Sequence, residues 1–254
     1  MPPNAQLRTW SVAMMKVVNL HGVGIALVCL MMAAAAPYAL GAPKSVKASY
    51  SGYLNGMAIG TINEQFEVDG GTYRIVSDTK PGGLAALIQR QPLRFSSTGQ
   101  VEREGLRPLQ FEARRTPTDS PQLAADFDWG HAQLVLRHNG KTEAYTLPAG
   151  TQDRLSVMYQ FMYLPLERTR QIEFPMTNGR KLDLYRYRVT PDVEIDTALG
   201  RLKTVHLVKV REPGDTVNEI WLSQQHQHFP VRMLILERDG MRFEQMIQSL
   251  DLRD

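Results

Sequence analysis

The stretch KLDLYRYRV, residues 181–189, shows the pattern that decides the fold. Tyr185 and Tyr187 occupy one phase of an alternating sequence, and Arg186 and Arg188 occupy the other. Because successive side chains of a β-strand point to opposite faces, the alternation predicts a strand with one covered and one solvated face. Antiparallel sheets commonly have such faces. The sequence therefore predicts an antiparallel sheet.

Other strands are predicted along the chain on both sides of this stretch. In FPVRMLILER, residues 229–238, both phases are apolar, which indicates a central strand or one covered on both faces. Asn-Gly and Asp-Gly pairs tolerate positive φ at both central positions of a tight hairpin turn. Such turn signals occur at Asp69-Gly70-Gly71, Asn139-Gly140, Asn178-Gly179 and Asp239-Gly240. The predicted strands are 46–54, 58–68, 72–79, 93–98, 107–115, 123–129, 132–138, 141–147, 170–176, 180–190, 193–197, 201–211, 216–223, 229–238 and 241–250.

Two segments interrupt the strands and are predicted to be helical. GLAALIQ, residues 83–89, follows a Pro-Gly pair. The second helix is predicted over residues 151–165, with Thr151 and Asp153 as capping candidates and Pro165 at its end. Neither segment recurs as a βαβ unit, so we expect helices that cover one face of an antiparallel sheet.

The second helix is apolar almost all round. Between Leu155 and Leu164 only Ser156 and Gln160 are polar. Such a helix is either a core helix packed on the sheet, which is the commoner case, or it faces a cavity that something apolar fills. The methionines of this segment would suit an irregular or ligand-lined surface.

Together these patterns predict a mainly β protein. The expected architecture is an antiparallel half-barrel or open barrel, with one or two helices covering the concave face. No internal repeat or linker divides residues 42–254, which we expect to form one domain.

Residues 1–41 have the features of an export signal. Two basic and no acidic residues accompany the apolar run 23–36, and small residues follow it. Ala39 and Gly41 best fit a cleavage site, so the mature chain is predicted to begin near Ala42 in the periplasm. An uncleaved inner-membrane anchor is the alternative, although the run is short for a span of roughly 20 apolar residues.

The predicted signal accounts for most of the chain's excess positive charge and for its single cysteine. The formal charge of the whole chain is +3, but two of its 29 basic residues and none of its 26 acidic residues lie in residues 1–41. The remaining 27 and 26 nearly cancel, and the single cysteine, Cys29, is also in this segment. A nucleic-acid partner requires a concentrated basic face, so we expect none.

Catalytic and metal-binding motifs are not found in the sequence. There is no G-x-S-x-G elbow and no H-E-x-x-H motif. His226 and His228 lie two apart without a neighbouring acid or third histidine, which indicates a polar hairpin and not a metal site. We therefore assign no catalytic residue, no metal ligand and no cofactor.

A hydrolase acting on an envelope glycan or ester remains an alternative. Asp126 and Asp128 alternate along a predicted strand, and paired carboxylates can hydrolyse sugars when held at a defined separation. Alternating acids on an outward face are much commoner. The alternative requires polar groups to meet in one cleft, the candidates being Asp126, Asp128, His206, Asp153 and Ser156.

A basic cluster lies between Arg168 and Arg188. Only two acids, Glu173 and Asp183, accompany its basic residues, which are Arg168, Arg170, Arg180, Lys181, Arg186 and Arg188. A solvated hairpin face is the commoner explanation. The alternative is a face that meets an acidic head group or an envelope protein, so that the chain would be a structural or assembly partner.

Several short landmarks occur in a fixed order over approximately residues 45–250. They are Tyr50-x-Gly52-Tyr53 with Gly60, Asp153 with Ser156, Asn178-Gly179-Arg180, Glu194 with Thr197 and Gly200, Glu219-Ile220-Trp221-Leu222, and Pro230-Val231-Arg232. In this order they resemble the domain-of-unknown-function 3108 family, whose members are exported bacterial envelope proteins. That resemblance implies no established activity. The tail also looks like the periplasmic lipoprotein-carrier (LolA/LolB-like) superfamily, which implies a half-barrel wrapping helices over a cavity for acyl chains.

The leading functional hypothesis is a non-enzymatic periplasmic protein that binds an apolar ligand, such as a lipid or an acylated envelope component. Under this hypothesis the sheet forms an apolar trough, and the Leu155–Leu164 helix is a movable cover over it. We expect a monomer. The residues predicted to line the site are Leu87, Ile88, Met158, Phe161, Met162 and Trp221.

Overall fold

The computed structural model describes residues 42–83, 93–115, 119–211 and 216–254. Within these ranges it contains fifteen strands and one α-helix, α1 (Ser156–Gln160). The strands are β1 (Ser45–Leu54), β2 (Met57–Asp69), β3 (Thr72–Pro81), β4 (Leu93–Glu102), β5 (Gly105–Arg114), β6 (Leu123–Asp128), β7 (Gln133–His138), β8 (Lys141–Thr146), β9 (Gln152–Asp153), β10 (Gln171–Thr177), β11 (Leu182–Thr197), β12 (Gly200–Lys209), β13 (Val217–Ser223), β14 (Phe229–Leu236) and β15 (Arg242–Arg253).

All fifteen strands belong to one open sheet. The order is β8-β7-β6-β5-β4-β3-β2-β1-β15-β14-β13-β12-β11-β10-β9, so two meanders are joined where β1 pairs with β15. Every pair is antiparallel except the short parallel pair of β9 and β10. The edges of the sheet are β8 and β9, and it does not close. This confirms the predicted fold class.

The predicted turn geometry is present at two of the four turn signals, whereas at Asn178-Gly179 and Asp239-Gly240 only the glycine has a positive φ. Gly70 and Gly71 join β2 to β3 with φ of 53° and 79°, and Asn139 and Gly140 join β7 to β8 with φ of 51° and 73°. Positive φ at both positions is the geometry of the two-residue hairpin turn that these residues favour.

The two strands predicted at 180–190 and 193–197 form a single strand, β11. Its register with β12 shifts between Thr190 and Val193, and Asp192 has a φ of 60°. Because Pro191 has no N–H to give to a ladder, an irregularity is expected there. The strand passes through this bulge and does not end at it.

The predicted 15-residue helix over 151–165 was too long. Gln152 and Asp153 are extended and pair with β10, and the Asp153 carboxylate Oδ1 accepts the N–H groups of Leu155 and Ser156 at 2.8 and 2.9 Å. A side chain that accepts these N–H groups starts the helical turn after Asp153 and not at residue 151.

The same helix also ends early. After α1 the chain tightens into a 3₁₀ turn at Phe161–Tyr163, and Leu164 is extended with φ −100° and ψ 136°. The residue before a proline is driven out of the helical region, and Pro165 follows Leu164. Of the other helix, predicted over 83–89, all but Gly83 lies outside the described residues.

The sheet wraps around α1, which contacts β5, β9 and β14. The Tyr159 side chain is fully buried; its ring centroid lies 4.8 Å from that of Phe66 on one side and 5.7 Å from that of Phe229 on the other. These aromatic rings fill the concave side next to α1, so the inner face of the helix is core. Among the described residues no helix is long and apolar enough to span a membrane.

Candidate functional site

Two glutamine side chains connect the α1 segment to the start of β5. The Leu106 N–H donates to Gln160 Oε1 at 2.6 Å, and the Leu106 carbonyl accepts from Gln152 Nε2 at 2.8 Å. Gln160 Nε2 also donates to the carbonyl of Glu104 at 2.8 Å. Because β6 pairs with β5 only from Gln110 onward, side chains here take the place of a neighbouring strand.

A groove of about 890 Å³ opens beside this junction and is called the seam groove below. It lies between the β4–β5 turn, the segment around α1 and strand β10. Its apolar lining is Leu106, Trp129, Val157, Phe161, Tyr163, Leu164, Ile172 and Phe174, with charged residues that include Glu102, Arg103, Glu104, Arg107 and Glu173. The volume lies within the usual range of small-molecule sites.

Large apolar side chains in the seam groove are in contact with solvent. Trp129, Tyr163, Leu164, Ile172 and Phe174 are all only partly buried. Ligand sites are concave and lined mainly by apolar and aromatic side chains with a few polar groups, as this groove is. The groove can therefore bury apolar carbon without changing the core behind it.

The indole nitrogen of Trp129 is hydrogen-bonded, and its ring is packed against neighbouring side chains. Its indole Nε1–H donates to the Pro108 carbonyl at 2.7 Å. Its ring stacks on Phe127 at 6.2 Å between centroids, and the Arg107 guanidinium carbon lies 5.0 Å from the ring centroid. A large apolar surface with no unpaired donor suits a ligand-facing wall.

The opposite wall of the groove continues into the core. Phe174 meets the buried Phe161 edge to face at 6.1 Å and stacks on Tyr187 at 5.8 Å. This packing fixes the Phe174 ring from behind.

The predicted site residues are only partly brought together. Phe161 lines the seam groove, but its side chain is fully buried. Met158 and Met162 are partly buried and pack against the hydrophobic clusters of the core. Leu87 and Ile88 lie outside the described residues.

Trp221 does not line the seam groove. Its side chain is buried in the core cluster that also contains Tyr159 and Phe229. Its ring stacks on His206 at 4.4 Å, with the Arg232 guanidinium carbon 4.5 Å from its centroid.

Sequence reasoning missed most of the groove wall. Trp129, Tyr163, Ile172 and Phe174 come from segments far apart in the chain. Ile172 and Phe174 share one phase of β10, a signal that could have assigned them to one face, but not to a groove.

The groups required by the hydrolase alternative have separate partners. Asp153 and Ser156 contact each other. Asp126 pairs with an arginine of β7, Asp128 with the histidine three residues on, and His206 with a glutamate of β13. Of the five candidates, Asp153 and Ser156 are the pair in contact, and that contact caps α1.

The Asp153 carboxylate has a structural position. It is fully buried, and it accepts a hydrogen bond from Ser97 Oγ at 2.6 Å in addition to its capping bonds. Burial raises the pKa of Asp153, and these hydrogen bonds act in the opposite direction. No histidine hydrogen-bonds to it among the described residues.

The two histidines of the polar turn also have different partners. His226 Nδ1 lies 2.8 Å from Ser223 Oγ, and His228 Nε2 lies 3.0 Å from the Glu167 carboxylate. Burial lowers the pKa of both histidines. Within the described ranges no three His, Cys, Asp or Glu side chains are grouped to hold a metal ion.

The basic cluster is divided between two places. Arg186 and Arg188 are exposed on β11, where Arg186 pairs with Glu173 at 3.0 Å. Arg180 instead lines a second cavity, at the β10–β11 turn.

These features define the class of protein: an open, β-barrel-like antiparallel sheet wrapped around a short helix, with an apolar groove beside that helix. The chain belongs to the DUF3108 family of proteins of unknown function, whose model matches residues 49–245. Among curated proteins none matches the chain significantly in sequence.

Solved structures support the fold. A β-barrel-like protein of the DUF1849 family from Brucella abortus has a TM-score of 0.53 at 10% identity, covering 84% of this chain and 99% of its own. A candidate lipoprotein from Parabacteroides distasonis has a TM-score of 0.36 at 8% identity, covering 83% and 97%. A candidate outer membrane lipoprotein-sorting domain from Vibrio parahaemolyticus has a TM-score of 0.23 at 10% identity, covering 82% and 85%. Only the first is similar enough to support the fold, and none supports a function.

Proposed function

We propose that this chain is a non-enzymatic binding protein of the periplasm that takes an apolar segment, such as an acyl chain of a lipid or of an acylated envelope component, into the seam groove. The observation that carries the proposal is the partly exposed apolar wall of Trp129, Tyr163, Leu164, Ile172 and Phe174. Export to the periplasm rests on the sequence pattern of residues 1–41.

The driving force would be burial of apolar surface. Each acyl CH₂ removed from water contributes about 0.8 kcal/mol. The two walls of the groove come from different parts of the chain: Trp129 follows β6, and Phe174 belongs to β10. Each of these side chains also makes contacts outside the groove that hold it in place. A wall that is already ordered loses little side-chain entropy on binding.

The charged rim suits an amphipathic ligand. Glu102, Arg103, Glu104 and Arg107 lie on one side of the groove and Glu173 on the other. A chain in the groove would leave its polar end among these groups and in contact with water. The movable cover of the sequence analysis is not needed in this arrangement, because the groove is open to solvent beside α1.

The test compares two leucines in a titration with a fluorescent fatty acid. Leu164 lines the groove, whereas Leu184 is 51% exposed on β11 and serves as the matched control. Leu164→Arg places a charge where the chain would lie, so we expect its Kd to rise by about tenfold or more, equivalent to about 1.4 kcal/mol. Leu184→Arg should bind as the unmodified protein does.

Circular dichroism melts establish that both variants are folded before the titration. Protein purified from its own compartment should also release a lipid in denaturing mass spectrometry. Absence of saturable binding by the unmodified protein, or equal loss in both variants, would show that the groove is not an acyl site.

A further inference from the structure

A second cavity, of about 730 Å³, lies at the β10–β11 turn, and we call it the arginine pocket. Its lining is Leu93, Phe95, Ala113, Arg115, Pro121, Gln122, Leu123, Asn139, Gly140, Arg154, Asn178 and Arg180. Its three cationic side chains come from three parts of the chain: the end of β5, the residue before the α1 segment and the turn after β10. Among the described residues that line it there is no carboxylate.

Arg154 lines this pocket and stacks its guanidinium on an aromatic ring. The guanidinium carbon lies 4.5 Å from the ring centroid of Phe95, which in turn stacks on Phe111 at 6.1 Å. Stacking one face of the guanidinium on a ring leaves its edge N–H groups available. Arg154 makes no hydrogen bond or ion pair with any described residue, although its side chain is ordered by the ring.

The electrostatic surroundings of Arg154 are unusual for a surface arginine. Burial lowers its pKa, while the negative charges of Glu64 and Asp153 act to raise it. The residue is nevertheless exposed to solvent at the pocket. Both carboxylates are engaged elsewhere, Glu64 by Ser77 and Tyr159 and Asp153 by its capping bonds.

The turn that carries Arg180 is fixed in place. Asn178 Oδ1 accepts the N–H groups of Arg180 and Lys181 at 2.9 and 3.2 Å. Gly179 has a φ of +87°, and a Cβ built on it would lie 3.1 Å from a ring carbon of Phe111. The close approach seats the turn against Phe111, and this brings Arg180 to the same pocket as Arg154.

We propose that the arginine pocket binds a phosphate group. Guanidinium groups match phosphate oxygens with paired N–H donors, and such charge-assisted hydrogen bonds are about twice as strong as neutral ones. The side-chain amides of Gln122, Asn139 and Asn178 add neutral donors at the rim. Arg154 and Arg180 line one pocket together with Arg115, and the described lining residues include no carboxylate, which favours a multiply charged oxyanion over a single carboxylate.

The phosphate could belong to a lipid head group or to a free phosphorylated solute. The pocket shares no lining residue with the seam groove, so the inference does not rest on the proposed acyl site. The phosphate proposal and the acyl-site proposal can therefore each be wrong while the other holds.

The test measures binding of inorganic phosphate by calorimetry in a buffer of low ionic strength. Arg180→Gln changes an exposed turn residue and should remain folded, and Arg154→Gln removes the stacked guanidinium. Each should weaken phosphate binding by about tenfold or more, because each removes charge-assisted hydrogen bonds to the anion. Arg188→Gln, on the exposed face of β11, is the matched control and should change the Kd by less than about twofold.

A short-chain phosphatidic acid below its micelle concentration distinguishes the two sources. Tighter binding of the lipid than of inorganic phosphate, lost in Arg180→Gln, indicates a head-group site, and equal binding of the two indicates a free phosphorylated ligand. Leu164→Arg should leave phosphate binding unchanged. The proposal is overturned if neither probe saturates, or if Arg188→Gln weakens binding as much as Arg180→Gln.

Discussion

The inner and outer sides of the segment around α1 are built differently. On the inner side Tyr159 is fully buried, stacks on Phe66 and donates its hydroxyl to the Glu64 carboxylate at 3.2 Å. On the outer side the partly buried Gln160 bridges to Leu106 beside an open groove. The difference shows how five helical residues can hold the core together and still leave an apolar surface exposed. It also predicts that stability depends mainly on the inner side.

Tyr159→Ala removes the center of the inner side and should have the largest effect. Deleting a buried aromatic ring loses its transfer free energy and leaves a cavity, so we expect the free energy of unfolding to fall by about 3–5 kcal/mol. Urea denaturation followed by circular dichroism measures the change. A loss below that of an ordinary surface substitution would mean that the inner side is not core.

Tyr159→Phe is the matched control for the same position. It keeps the ring and removes only the hydroxyl that donates to Glu64, so its cost should be smaller, about 1–3 kcal/mol. The difference between the two variants separates packing from hydrogen bonding on the inner side.

Gly105→Ala tests the outer side and should have an intermediate effect. A Cβ at Gly105, where φ is +119°, would lie 2.2 Å from Gln160 Oε1. The glutamine end can move away, but it then gives up its bonds to Leu106 and Glu104, which together should cost about 1–3 kcal/mol. Hydrogen exchange of the Leu106 amide should speed up in the variant.

Gly140→Ala is the control for backbone strain alone. Gly140 also has a positive φ, +73°, but nothing lies within 4 Å of a Cβ built there. It should destabilise the fold by the strain of a left-handed residue only, about 1–2 kcal/mol, and leave exchange at Leu106 unchanged. If exchange at Leu106 is also unchanged in Gly105→Ala, the glutamine bridge does not hold this junction.

The strand succession was predictable because its signals are local. The pair Asn139-Gly140 specifies its own hairpin turn, and the alternation around Tyr187 specifies a face, with Tyr187 buried and Arg186 and Arg188 exposed. Neither inference needs to know what lies across the sheet.

The helix length and the site were not predictable, because they depend on distant contacts. Gln152 and Asp153 are extended because they pair with Met176 and Thr177, more than twenty residues further on. Nothing in an apolar run reveals such a partner. Trp221 does not line the seam groove, since which strands border the groove depends on how the whole sheet curls.

Glu64→Gln gives the smallest change and shows what the polar group on the inner side does. Burial raises the pKa of Glu64 above its ordinary value of 4.5, against the lowering influence of Ser77, Tyr159 and Arg154. A carboxyl whose pKa is raised in the folded state stabilises fully below its unfolded pKa, and that contribution is lost as the pH rises through the folded pKa. Glu64 therefore lowers stability on going from about pH 4.5 toward neutrality, whereas His226 and His228, whose pKa values are lowered, raise it over the same range. The expected result is a difference between curves: Glu64→Gln should gain stability relative to the unmodified protein as the pH rises.

The measurement is the free energy of unfolding in urea at several pH values, with Glu67→Gln as the control. Glu67 is exposed on the same strand and should follow the unmodified curve. Asp153, His226 and His228 contribute the same pH dependence to every variant, so the expected result is the change of slope relative to the unmodified protein and not a flat line. If Glu64→Gln instead runs parallel to the unmodified protein, the Glu64 charge is fully compensated by its hydrogen bonds and Arg154. The inner side would then tolerate a buried charge at no cost in stability.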